Sequence, residues 1–221
     1  MTVNKLERFA EVAEFDHVIE HTDFQNGGTA KPKGMWNKDI FGNQNPITLE
    51  LACGTGAYTL ELARRNPNRN YIGIDIKGAR IWKGAKQAKA ESLDNVRFLR
   101  IFIDHLDEYF AENEIDEIWI TFADPFPRAG DRSNRLTSPK FLRLYKYVLP
   151  IAGNVHFKTD DKNFFRYTCQ MVTQFGGSIL EKVEDIYLKQ PENKFLTIKT
   201  TFEKKHLQNG KMISYCKFSF F

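Results

Sequence analysis

Cysteine is scarce: Cys53, Cys169 and Cys216 are the only three in 221 residues, and they lie far apart. Such spacing excludes a disulfide framework and a zinc site of paired cysteines, leaving reduced, mostly buried thiols as the expectation. No apolar run reaches the length needed to span a bilayer. The opening "MTVNKLERFAEVAEF" carries acids where a secretory leader would carry an apolar stretch. The chain therefore reads as cytoplasmic, with no membrane partner. Charge of one sign is lacking too, since 32 basic against 28 acidic residues leave +4, too little alone to identify an anionic partner. The five histidines show no ligand spacing, so no metal is expected.

What is present is alternation. "ITLELAC", "NYIGIDI", "VRFLRIFI", "EIWITFA" and "NVHFKTD" read as strands, interleaved with the helical patterns "AYTLELARRN", "KGARIWKGAKQAKAES", "SPKFLRLYKYVL" and "DKNFFRYTCQMVTQF". An acidic helix is expected from about Asp104. Alternation of this kind predicts a doubly wound α/β fold, a mostly parallel sheet covered on both faces. The last third breaks the rhythm with "GSILEKVEDI" and "KMISYCKFSF", which predicts an antiparallel last strand. A polar, glycine-containing lead-in sets the expected boundaries: a flexible amino-terminal extension over residues 1–40 and a folded domain over 41–221.

Ligands of open α/β sheets bind beyond the carboxyl ends of the strands, where glycines let them approach the backbone. Gly54 and Gly56 occupy the first such turn, "ELACGTG", but the third position of a dinucleotide fingerprint is Thr59. Two acids narrow the choice. Asp75 closes "YIGID" where a carboxylate can accept from the hydroxyls of an adenosine ribose, with a helix N-cap as its competing reading. Glu50 just before the turn would repel a pyrophosphate and suits the sulfonium and ammonium of S-adenosylmethionine better, although a capping role is open for it as well. An NAD-dependent dehydrogenase is the weaker alternative.

"FADPFPR" places Asp124 at the end of another strand, followed by prolines that forbid an immediate helix. Residues 124–146 hold six cations against two acids, an excess able to support a few phosphate contacts, and Arg132 and Arg135 are its candidate RNA-binding residues. The lysines and arginine at three-residue spacing in 77–89 drift around a helix and read as solvated instead.

The ordered set "ELACGTG", "YIGID", "FADPFPR", "HFKTD" and "TTFE", followed by "GKMISYCKF", resembles the bacterial tRNA (guanine-N7)-methyltransferase family, which modifies position 46 of tRNA. The resemblance covers roughly residues 47–218. It implies a Rossmann-like class I methyltransferase fold with a seven-stranded sheet over 41–221, S-adenosylmethionine as cofactor and tRNA as partner. Glu50 matches the family's cofactor-binding glutamate, and Asp75 stands where the family usually has glutamate. Asp124 matches the active-site aspartate and is expected to contact cofactor as well as guanine. Arg128 takes a position usually held by lysine; Asp160, Thr200, Phe202 and Glu203 match substrate-binding positions. The family's third-strand aspartate aligns to Phe102, making Asp104 a provisional replacement. The basic cluster is thinner here than in the family, which keeps two alternatives in play: a methyltransferase of another base or a small molecule, and an inactive RNA-binding relative.

Guanine N7 has an in-plane lone pair, so its methylation needs no general base. It needs alignment and a carboxylate to offset the cation that forms on the base. Asp124 is the candidate for that role, Asp160, Thr200 and Glu203 for orienting guanine, and Arg128 for a flanking phosphate.

Overall fold

The computed structural model describes residues 5–20, 31–151 and 153–220. The chain divides into two compact units, Met1–Ala111 and Glu112–Phe221. Among the described residues each unit holds four strands, all parallel in the first and mixed in the second.

The first unit runs α1 (Lys5–Ala13), β1 (Val18–Glu20), β2 (Ile47–Leu51), α2 (Ala57–Arg65), β3 (Asn70–Ile74), α3 (Gly78–Ala90), β4 (Val96–Arg100) and α4 (Leu106–Tyr109). Its strands lie in the order β1-β4-β3-β2, all parallel. Every residue of β2 and β3 is buried, as helices on both faces of a parallel sheet require. Phe98 of β4 fills a notch made of glycines. A Cβ at Gly56 would lie 2.4 Å from its ring, one at Gly73 2.9 Å, and one at Gly84 2.7 Å. Three glycines from separate elements thus let one fully buried ring seat, a burial worth about 1.5–3 kcal/mol.

β1 adds an eighth strand to the seven marked by the alternation, pairing Val18 with Phe98 and Glu20 with Arg100. Part of the expected extension, residues 1–4 and 21–30, lies outside the described residues; within it, residues 5–20 carry α1 and β1. The acidic helix expected from Asp104 is one short turn, Leu106–Tyr109, after a 3₁₀ turn at Ile103–His105.

The second unit runs β5 (Glu117–Thr121), α5 (Pro139–Val148), β6 (Asn154–Thr159), α6 (Lys162–Gln174), β7 (Gly177–Val183), α7 (Ile186–Lys189), α8 (Thr201–Gln208) and β8 (Ser214–Phe220). Its order is β5-β6-β8-β7, with β5 and β6 parallel and β8 antiparallel to both its neighbours, the anticipated ending. α5 opens on Pro139, whose fixed φ suits a first helical position. Asp161 caps α6 by accepting from the Phe164 amide at 2.7 Å, a contact worth about 1 kcal/mol.

The three cysteines are free thiols; Cys53 and Cys216 are buried and Cys169 is half-buried. Among the described residues no helix is long and apolar enough to cross a membrane, and no cluster of side chains could hold a metal ion.

Candidate functional site

β2 ends in a sharp turn at Ala52, a non-glycine residue with φ of 57°, and Gly54 and Gly56 follow at 58° and 67°. Left-handed backbone costs an alanine roughly 1–2 kcal/mol, so something must hold the turn. Two carboxylates do. Glu50, 2% exposed, accepts through Oε2 from the Thr59 amide at 2.9 Å and from the Thr59 hydroxyl, tying the strand to the first turn of α2. Asp75 accepts from the Gly54 amide at 2.9 Å through Oδ2 and from the Lys77 amide at 2.8 Å through Oδ1. An ionised carboxylate has about four lone-pair sites, so Asp75 retains acceptor capacity beyond these two bonds.

The two glycines do different work. A Cβ at Gly54 would meet nothing within 4 Å, so the turn is open to a ligand there, whereas Gly56 is needed to clear Phe98. Thr59, which breaks the dinucleotide fingerprint, supplies both donors to Glu50. The buried acids raise the Cys53 thiol well above its ordinary value, behind burial itself as the larger cause. Asp104 is exposed in the 3₁₀ turn after β4, and Phe102 just before it is 59% exposed.

In the second unit the carboxyl end of β5 repeats the device of the first. Phe122 has φ of 53° and Phe126 of 39°, both left-handed and both costly for an aromatic residue. Between them Asp124 is exposed, with Oδ1 accepting from the Phe126 amide at 3.0 Å. The loop is fixed from below by Arg135, which donates Nε–H to the Pro125 carbonyl at 2.8 Å and a second N–H to Phe126 at 3.2 Å. Its guanidinium also lies 4.5 Å from the Tyr167 ring centroid. Only 4% exposed, Arg135 therefore departs from the expectation of an RNA contact: it shapes the loop that carries Asp124. Arg128 and Arg132 are exposed.

Beyond β6, the positions matched to substrate binding separate. Asp160 accepts from Lys211 and lies 3.3 Å from Nδ1 of His206. Thr200 caps α8, its hydroxyl accepting from the Glu203 amide at 3.1 Å. Phe202 is 57% exposed. Glu203, one residue on, is fully buried, its carboxylate 2.7 and 2.9 Å from Nζ of the equally buried Lys158. Tyr187 donates to the same carboxylate at 2.8 Å. Burial raises the Glu203 carboxyl above its ordinary range despite the opposing Lys158 ammonium. Glu203 thus differs from the expectation of a side chain facing guanine: it is fully buried, with its carboxylate on Lys158 and Tyr187.

Lys158 is the residue that sequence reasoning missed. It also donates to the Leu196 and Ile198 carbonyls, gathering a loop and a helix onto the end of β6. The signal was a lysine within the apolar run "VHFKT", where an unpaired ammonium would be too costly to bury.

A family model described as "Putative methyltransferase" matches residues 44–216. The tRNA (guanine-N(7)-)-methyltransferase of Christiangramia forsetii is 46% identical over 217 residues, 97% of this chain and 97% of the relative. That of Bacteroides fragilis is 42% identical over 219 residues, 99% of this chain and 86% of the relative. The crystal structure of the 16S rRNA methyltransferase KamB superposes with a TM-score of 0.63 over 83% of this chain and 91% of that one, at 13% identity, a likeness of fold alone. By these matches across nearly its whole length, the chain belongs to the tRNA (guanine-N(7)-)-methyltransferase family.

Proposed function

We propose that this protein transfers a methyl group from S-adenosylmethionine to N7 of guanine 46 in tRNA. The observation that carries the reading is the 46% identity to a relative of that name over 97% of both chains. The geometry of the first unit agrees with the cofactor: an open backbone at Gly54 and an Asp75 carboxylate with acceptor sites left suit a ligand that brings hydroxyls and positive charge. The exposed Phe102 ring offers a face to an adenine.

When bound, the cofactor supplies an activated methyl group. The chain's own residues have three tasks. Asp75 binds the ribose. Glu50 keeps the turn in the shape that leaves Gly54 open, through its hold on Thr59. Asp124, exposed and stiffened by the Phe126 amide and the Arg135 bonds to its loop, orients guanine and offsets the positive charge that the base acquires. Arg128 and Arg132 hold phosphates next to the target base, and Asp160, Thr200 and Phe202 shape its surroundings. No residue has to remove a proton, since N7 reacts through its lone pair.

The test is methyl transfer from labelled S-adenosylmethionine to an unmodified tRNA transcript, with the label mapped by nuclease digestion. Label at N7 of guanine 46, lost when that guanine is replaced, is the expected result. Label on another base, or none, overturns the assignment.

A further inference from the structure

Residues 186–212 form a cap over the carboxyl end of β6, and their buried side carries an internal charge balance. Lys158 of β6 binds Glu203 of α8 and the carbonyls of Leu196 and Ile198. Tyr187 of α7 joins the same carboxylate, and the Ile186 amide donates to the Ile213 carbonyl at 3.0 Å. At the far end of α8, His206 and Lys211 face Asp160, just past β6. Both ends of the helix are therefore pinned to the strand, and Glu203 meets its countercharge in the interior.

The outer side has the opposite composition. Lys189, Lys194, Lys199, Lys204 and Lys205 are exposed, and Glu192 is the exposed acid of the segment. Lys199 lies 5.2 Å above the Tyr187 ring, so a cation sits on the outside of the ring whose hydroxyl holds Glu203. Aromatic and apolar side chains are interleaved with the cations: Phe195 is 45% exposed, Phe202 57% and Leu188 72%. On α8, Phe202 and Lys205 are three residues apart, about 60° around the helix, and so neighbours on one face. Lysines set among exposed rings are the chemistry that holds an unstacked RNA strand, with cations on phosphates and rings on bases. The cap also adjoins the Asp124 loop, because Phe122, two residues before Asp124, stacks on His206 at 5.8 Å.

We infer that the outer surface of residues 186–212 binds the RNA nucleotides flanking the target guanine, with Lys189, Lys199, Lys204 and Lys205 on phosphates and Phe195 on a base. The inference rests on the tRNA reading above and adds a surface to it, separate from Arg128 and Arg132. Its logic is that the buried Lys158–Glu203 pair satisfies the cap's acid inside, leaving the exterior with an excess of cations.

The test is the salt dependence of binding to unmodified tRNA, for the wild type and two variants. One carries Lys189→Gln, Lys199→Gln, Lys204→Gln and Lys205→Gln. The other carries Arg80→Gln, Lys83→Gln, Lys86→Gln and Lys89→Gln on α3, removing equal charge elsewhere. Each lost phosphate contact flattens the plot of log affinity against log salt by roughly 0.7–0.9. The cap variant is expected to lose about 3 from the slope and at least tenfold in affinity, while the α3 variant keeps the wild-type slope. Phe195→Ala should weaken binding several-fold at an unchanged slope. Equal slopes for the cap variant and a tRNA-binding wild type overturn this surface alone, as does an equal loss in the α3 variant. A wild type without salt-dependent tRNA binding overturns the functional reading as well.

Discussion

Glu50 in the first unit and Glu203 in the second are buried alike, at 2% and 0% exposure, yet their charges are met in different ways. Glu50 takes neutral donors, the amide and hydroxyl of Thr59, and Asp75 beside the same turn takes two backbone amides. Backbone amides stabilise a carboxylate without cancelling it, so Asp75 leaves a carboxylate beside the glycine turn. Glu203 faces an ammonium, and the second unit's interior is balanced while lysines crowd its exterior. On the proposed function, the first unit would take a small cation and the second a polyanion. The teaching is that a buried acid is not by itself a ligand site; what compensates it decides what it can still attract.

The largest test of this contrast removes the compensation itself. Lys158→Met leaves Glu203 buried without its cation, and urea denaturation should show a loss of about 3–5 kcal/mol. Lys158→Met combined with Glu203→Leu should recover most of it, since an apolar pair of similar volume is often neutral. A single-variant loss below about 1 kcal/mol would mean that the pair does not pin the cap.

Next in size is the separation of chemistry from cofactor binding. Asp124→Ala is expected to reduce turnover on tRNA by about 10²–10³-fold. Calorimetry should find that it keeps much of the wild-type affinity for S-adenosylmethionine, so that the loss falls mainly on turnover. Turnover at the wild-type rate would remove Asp124 from the mechanism.

Smallest is a comparison within the glycine turn. Gly56→Ala meets both a left-handed φ and the Phe98 ring at 2.4 Å, and should cost about 2–3 kcal/mol in thermal melts. Gly54→Ala meets the φ alone, with nothing within 4 Å, and should cost about 1–2 kcal/mol. Equal losses would show that the notch around Phe98 relaxes.

The first unit was largely legible because its contacts are short in sequence. Glu50 and Thr59 are nine residues apart, and Asp75 closes a strand whose alternation is plain. β1 was not legible: three residues carry no period, and only pairing with β4 makes them a strand. In the second unit the deciding bond, Lys158 to Glu203, spans 45 residues, which no local pattern records. Phe202 and Glu203 were assigned alike because they share a motif, but neighbours on a helix differ by about 100° in direction, so one faces out and the other in. Arg132 and Arg135 look equivalent as charges, yet only Arg135 falls beneath the Pro125 and Phe126 carbonyls.

The most direct test of the charge contrast is calorimetric titration of the ligand-free protein with S-adenosylmethionine and with adenosine, repeated for Asp75→Asn. The account predicts clear preference for the sulfonium compound in the wild type, and weaker binding of it in the variant with tRNA affinity unchanged. Equal affinity for the two compounds in the wild type would contradict it.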